Sequence, residues 1–230
     1  MKRTIGLLIC GHVRDELVET FGEYDGFFRT FLGEDRYTYK TYMVVDNEFP
    51  QDVSDCDGYV LSGSAHGAYE DHAFIEPLED LIRAAHEKRI PLIGICFGHQ
   101  IMAQALGGKV VKFSGGWGLG LQSYNVDLGN GPQSLTLNAV HQDQVVELPP
   151  DAKVLGSNEF CANAALSYGN HAFSIQPHPE FERPFVEALI ELRRGHSFPD
   201  DVADKGIATL DRDNNNSVLA DHINGILSKG

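Results

Sequence analysis

Residues 91–101 read Pro91-Leu92-Ile93-Gly94-Ile95-Cys96-Phe97-Gly98-His99-Gln100-Ile101, and this stretch decides the fold. Leu92 to Ile95 is apolar and rich in β-branched residues, the pattern of a strand buried on both faces of a parallel sheet. After Cys96 the apolar spacing becomes helical and runs on through Met102, Ala105 and Leu106. Gly94-x-Cys96-x-Gly98 between them is the pattern of a nucleophile elbow, with sulfur in place of a serine oxygen. A strained turn of this kind leaves no room for side chains two residues to either side, and it aims the nucleophile out of the sheet. A helix that begins at the thiol also favours its thiolate. A cysteine ending a strand can equally be a small buried hydrophobe; the two glycines and the following helix favour the nucleophile.

Working outward, Thr4 to Cys10, Tyr37 to Val45, Gly58 to Leu61 and Ile90 to Ile95 read as strands. Leu17 to Leu32 and Phe74 to Lys88 carry helical spacing, the second through Ile75, Leu78, Leu81, Ile82 and Ala85. Strands alternating with helices predict an α/β fold, a doubly wound and mostly parallel open sheet flanked by helices. From Lys109 to Ile175 short strands and turns predict extra antiparallel strands, with Gly169-Asn170 as a two-residue hairpin turn. Glu182 to Arg194 reads as a further helix and 195–212 as a polar loop. Asp211 to Asn216 starts like a calcium loop but lacks glycine at its sixth position and glutamate at its twelfth, so a turn and cap leading into a helix from Val218 to Leu227 is expected. With no repeat and no linker, one domain over 1–230 is expected, its core at about 4–195 and a C-terminal loop and helix at 196–230.

The composition excludes several functions. Lys and Arg number 18 against 33 Asp and Glu, a formal charge of −15 that would repel a nucleic-acid backbone and an anionic membrane surface. The apolar run after Met1 is cut short by Gly11-His12-Val13-Arg14-Asp15, so a buried first strand is expected in place of a signal peptide, and no run suits a spanning helix. Four scattered cysteines without a C-x-x-C pair fit reduced thiols and a cytoplasmic location. Ten histidines show no metal-ligand spacing, so neither a metal nor another cofactor is expected.

A thiolate needs a proton carrier, and Phe173-Ser174-Ile175-Gln176-Pro177-His178-Pro179-Glu180 supplies one at another strand end. Two prolines hold the backbone at His178 extended. Glu180 can accept the second imidazole N–H and set the tautomer, the orienting role in a triad. A surface-loop histidine and a helix-leading glutamate are the plainer readings of the same residues.

Gly94-Ile95-Cys96-Phe97-Gly98-His99-Gln100 together with Pro177-His178-Pro179-Glu180 resembles the class I glutamine amidotransferases. The resemblance extends through Gly58 to Ser64, Gly107-Gly108 and Ala139-Val140-His141-Gln142-Asp143, so it covers roughly residues 4 to 195. It implies a flavodoxin-like sheet and a thiolate attack on the γ-carboxamide of glutamine, with Cys96 as nucleophile, His178 as acid and base and Glu180 as its orienter. It assigns the oxyanion donors to Phe97 and the Gly63-Ser64 turn, although Ser62 to Gly67 is poorer in glycine and proline than the family's turn. It gives Gln100 the amino and carboxylate end of the substrate, where an amide could also cap a loop. Gly118 and Leu119 align loosely with the segment receiving that same end, or form a glycine-rich turn. His141-Gln142-Asp143 has no proton-transfer step and is expected to order the cleft mouth.

Three functions share these residues. Phe97 to Gln100, Gly120 to Ser123 and His141 to Pro149 look most like the stand-alone branch that contains the γ-glutamyl peptidases, which implies a hydrolase for glutamine or a γ-glutamyl compound. A glutaminase subunit feeding a separate synthetase comes second, since the sequence has no G-x-x-x-x-G-K phosphate loop; a homo-oligomer is equally open. A non-catalytic binding module with this fold comes last.

Overall fold

The computed structural model describes residues 2–229. The parallel half of the sheet is built from β1 (Thr4–Leu8), β2 (Thr38–Tyr42), β3 (Gly58–Leu61), β4 (Leu92–Ile95) and β11 (Ala172–Ile175). Its order is β2-β1-β3-β4-β11, every neighbouring pair parallel. The antiparallel half continues through β10 (Ala165–Tyr168), β9 (Ala152–Ser157), β6 (Gly118–Asp127) and β7 (Pro132–His141), giving nine strands. A separate pair joins β5 (Lys109–Lys112) to β8 (Asp143–Glu147). The α/β, mostly parallel architecture with added antiparallel strands is thus as the sequence pattern predicts.

Alternation along each strand loads both faces of the sheet. Leu7, Val60, Ile93 and Ile95 pack on one face beneath α2 (Tyr24–Leu32) and α7 (Asn216–Leu227), through Phe28, Leu32, Leu219 and Ile223. Leu8, Tyr59, Leu61 and Leu92 pack on the other beneath α3 (Ile75–Glu87) and α4 (Phe97–Ala105), through Leu78, Ile82, Ile101 and Met102. A third apolar cluster joins β6 and β7 to α1 (Asp15–Phe21), α5 (Arg183–Arg193) and α6 (Asp200–Ile207).

Three local expectations are corrected. The span from Leu17 to Leu32 is two helices, broken where Gly22 turns into the left-handed region at φ 79°. The segment 195–212 is not all loop: α6 lies within it and packs Ala203 and Gly206 inward. Its buried residues are small, with Val202 and Ile207 partly buried against the same cluster, and its eight residues leave a short stretch in which to read a period. The β10–β11 hairpin opposes Tyr168 to Ala172, leaving a three-residue connection with Gly169 at φ 69° where two residues are expected.

Candidate active site

β3, β4 and β11 are adjacent and parallel, so their carboxyl ends open on one edge of the sheet. The segments leaving them carry Gly63-Ser64, Cys96 and His178. Open α/β sheets bind ligands along this edge because loops and helix N-termini converge there.

Cys96 sits between β4 and α4 with φ 53° and ψ −104°, a conformation that a side chain normally avoids. The turn can close because both flanking glycines are required. A Cβ on Gly94 would lie 2.5 Å from the Gly98 carbonyl oxygen, and one on Gly98 would lie 2.5 Å from that of Leu61. The Gln100 N–H donates back to the Cys96 carbonyl at 3.0 Å and starts the helix. Gly63 faces the same spot: a Cβ there would stand 2.9 Å from Cε1 of His178 and 3.8 Å from Cβ of Cys96.

His178 is anchored by its N–H, which donates to the Asn138 carbonyl at 2.7 Å. Its ring stacks on Phe181 with centroids 4.1 Å apart and planes 5° from parallel. Nδ1 lies 2.7 Å from Oε1 of Glu180, and both side chains are buried. Burial alone would disfavour a charged ring; Cys96, within hydrogen-bonding reach, and Glu180 outweigh it and hold the imidazole well above its ordinary range. The three groups together can keep a proton on His178 beside the sulfur, which is the arrangement a thiolate nucleophile requires.

The thiol opens onto a polar cleft of about 420 Å³ whose wall includes Ser64, Gln100, Trp117, His141 and Asp143. A second lobe reaches Tyr24, Gly63, His178 and Arg193. Gln100 is at the wall, but its amide nitrogen already donates to the Asp143 carbonyl at 2.9 Å and to Oε1 of Gln176 at 3.2 Å. Gly118 and Leu119 are not at the cleft; Leu119 is buried in the apolar cluster under α6, and the neighbouring Trp117 lines the wall instead. His141 is buried, and burial lowers its pKa to about 3.

Residues 31–185 match the family model for glutamine amidotransferase class I. The chain belongs to this family. Among curated relatives, this chain is 30% identical to γ-glutamyl peptidase 3 of Arabidopsis thaliana over 91% of its own length and 90% of the relative's. It is 34% identical to γ-glutamyl peptidase 5 of the same plant over 82% and 81%. A solved glutamine amidotransferase from Thermotoga maritima shares its fold with a TM-score of 0.74 at 24% identity, covering 99% and 97% of the two chains.

The cleft also contains residues that sequence reasoning missed. Arg193, the last residue of α5, lies 5.3 Å from the Trp117 ring centroid and 4.6 Å from that of Phe198. It has no carboxylate partner among the described residues. Trp117, Tyr24 and His196 share its walls. Trp117 stands beside Gly118 and Leu119 in the glycine-rich segment, the others fall in no motif, and an arginine at a helix end is common; only the folded chain turns Arg193 towards the thiol.

Proposed function

We propose that this protein hydrolyses the γ-glutamyl bond of a γ-glutamyl amide or peptide through a thioester on Cys96. The observation that carries the reading is the meeting of Cys96, His178 and Glu180 at the carboxyl ends of β4 and β11, open to a polar cleft. Sγ adds to the γ-carbonyl carbon, and the developing oxyanion is met by the Phe97 N–H at the head of α4 and by the Gly63-Ser64 turn. Each such donor typically lowers the barrier by ~3 kcal/mol. His178 gives its proton to the departing nitrogen, which leaves as an amine or ammonia and closes the thioester. Water then attacks the same carbon, His178 takes its proton, the C–S bond breaks, and glutamate is released. Glu180 holds the ring throughout.

The γ-glutamyl peptidase names of the relatives support a γ-glutamyl peptide as substrate. Arg193 supports an anionic substrate end, since an unpaired guanidinium held by two aromatic faces suits a carboxylate. The free cysteines support work in a reducing compartment such as the cytoplasm.

A second reading, a glutaminase subunit for a synthetase, rests on 34% identity over 153 residues to a GMP synthase [glutamine-hydrolyzing] of Bordetella parapertussis, of which the aligned part is 28%. Mass spectrometry separates the two. The isolated chain with a slowly deacylated γ-glutamyl substrate is expected to gain one γ-glutamyl mass, and Cys96→Ala to gain none. Neither adduct nor turnover across a panel of glutamine and γ-glutamyl peptides, with glutamine hydrolysis appearing on addition of a synthetase, would establish the subunit reading instead.

A further inference from the structure

We infer that the loop between β3 and α3 is a divalent transition-metal site at the mouth of the cleft, formed by His66, Glu70 and His72. One ligand atom from each of the three lies within 4.8 Å of the others. Oε2 of Glu70 is 2.8 Å from Nε2 of His72 and 3.8 Å from Nδ1 of His66. Donors bound to zinc at ~2.0–2.2 Å in a tetrahedron stand ~3.3–3.6 Å apart, so side-chain adjustments of about an ångström bring these three around one ion. Two imidazole nitrogens and one carboxylate oxygen form a ligand set of intermediate softness, suited to Zn²⁺, Co²⁺ or Ni²⁺ and poorly suited to Mg²⁺ or Ca²⁺.

The rings are held where a ligand set needs them. His66 and His72 have centroids 4.1 Å apart, and both rest on buried Phe74 at 5.8 Å, His72 stacked within 16°. Apolar packing therefore limits the ring orientations before any ion arrives, which lowers the entropy lost on binding. His66 and Glu70 also line the cleft, so a three-ligand site leaves a coordination position for water or a substrate oxygen. Phe74 packs in turn on Phe97, with centroids 6.1 Å apart, and Ser64 begins the same loop. A bound ion would pin the segment that carries one proposed oxyanion donor and brace the residue that carries the other. This site stands independently of the reaction proposed above.

The test uses the full chain as Cys96→Ser, which removes the thiol as a competing ligand, and compares it with Cys96→Ser carrying His66→Ala and His72→Ala. Both are titrated calorimetrically with Zn²⁺ and optically with Co²⁺, and amide exchange in 65–72 is followed with and without Zn²⁺. The loop is exposed at Glu70 and half-buried at both histidines, and matching thermal midpoints would show that the substitutions leave the fold intact. The expected result is one equivalent of Zn²⁺ present in the parent and missing from the histidine variants, a tetrahedral Co²⁺ spectrum in the parent alone, and slowed exchange in 65–72. Affinity should fall by more than the ~10–100-fold that loss of an outer partner costs. The His86–His171 pair, 3.2 Å apart, is untouched in both proteins and reports any binding elsewhere. Equal stoichiometry and affinity in the two proteins, or no uptake by the parent at micromolar Zn²⁺, overturns the proposal.

Discussion

At Cys96 the proposed nucleophile and a strained backbone occupy the same residue. With φ at 53°, Cys96→Ala keeps the strain and loses the sulfur, so it is expected to fold and to lose essentially all turnover. Cys96→Gly is expected to be equally inactive but more stable than Cys96→Ala by about 1 kcal/mol. Relief of ~1–3 kcal/mol of strain exceeds the ~0.5–1 kcal/mol that glycine loses in the unfolded chain. Chemical denaturation of the two variants measures the difference; a less stable glycine variant would mean that the turn holds no strain. Glu180→Gln removes the carboxylate that helps hold His178 protonated, so the imidazole pKa falls. Turnover should drop, less than in His178→Ala, and the alkaline limb of kcat/KM should move to lower pH because the proton donor is lost sooner; an unmoved limb would place that limb on another group. Arg193→Ala is expected to raise KM with little change in kcat when the substrate carries the carboxylate it meets, by roughly tenfold for ~1.4 kcal/mol of lost pairing. The meeting of Cys96, His178 and Glu180 was legible in the sequence because strand ends and glycine spacing flag these residues. Arg193 was not, because its position depends on where α5 ends against Trp117 and Phe198.

At the level of elements, the joint between β4 and α4 depends on contacts that allow no Cβ. Gly98→Ala would push a methyl group against the Leu61 carbonyl and force β3 and α4 apart, at a cost of ~1–3 kcal/mol for overpacking and with loss of turnover through the displaced Phe97 N–H. Thermal melting together with activity reads both effects, and a stable, active Gly98→Ala would show that the joint is softer than its distances imply. The antiparallel half has a matching contact: a Cβ at Gly120 would lie 2.2 Å from the Gly206 carbonyl oxygen, so α6 is docked backbone to backbone on β6. The sequence identified β3 and β4 from short apolar runs and α3 from the helical spacing of its apolar residues. It could not identify α6, whose burial comes from Ala203 and Gly206, nor the break at Gly22, because the hydrophobic stripe continues on either side of it.

Across the whole molecule, burial is the leading influence on six histidines held below their ordinary value: His66, His86, His99, His141, His171 and His222. For His99 and His141 the fall is from 6.5 to about 3. A group whose folded pKa is depressed contributes stability above its unfolded value, and that stability is lost as pH falls towards the folded value. The melting midpoint is therefore expected to decline as pH drops from about 6.5 towards 3, and His141→Gln should flatten part of the decline. His178 acts in the opposite sense, contributing below 6.5 and losing its contribution as pH rises through its raised value. An acid limb unchanged in His141→Gln would show that the ring is hydrated. The parallel and antiparallel halves were legible from the change of pattern near Lys109, but not that β11, almost last in the chain, inserts beside β4. That insertion has a temporal consequence. During synthesis Cys96 emerges well before His178, and the whole antiparallel half must be made before β11 can dock. A nascent chain therefore carries a sulfur with no imidazole beside it, and the reactive centre forms only once the sheet has closed around its latest parallel strand. At a pH well below the ordinary thiol range, where an unfolded thiol alkylates slowly, the gain in Cys96 alkylation rate during refolding is thus a clock for that single docking event.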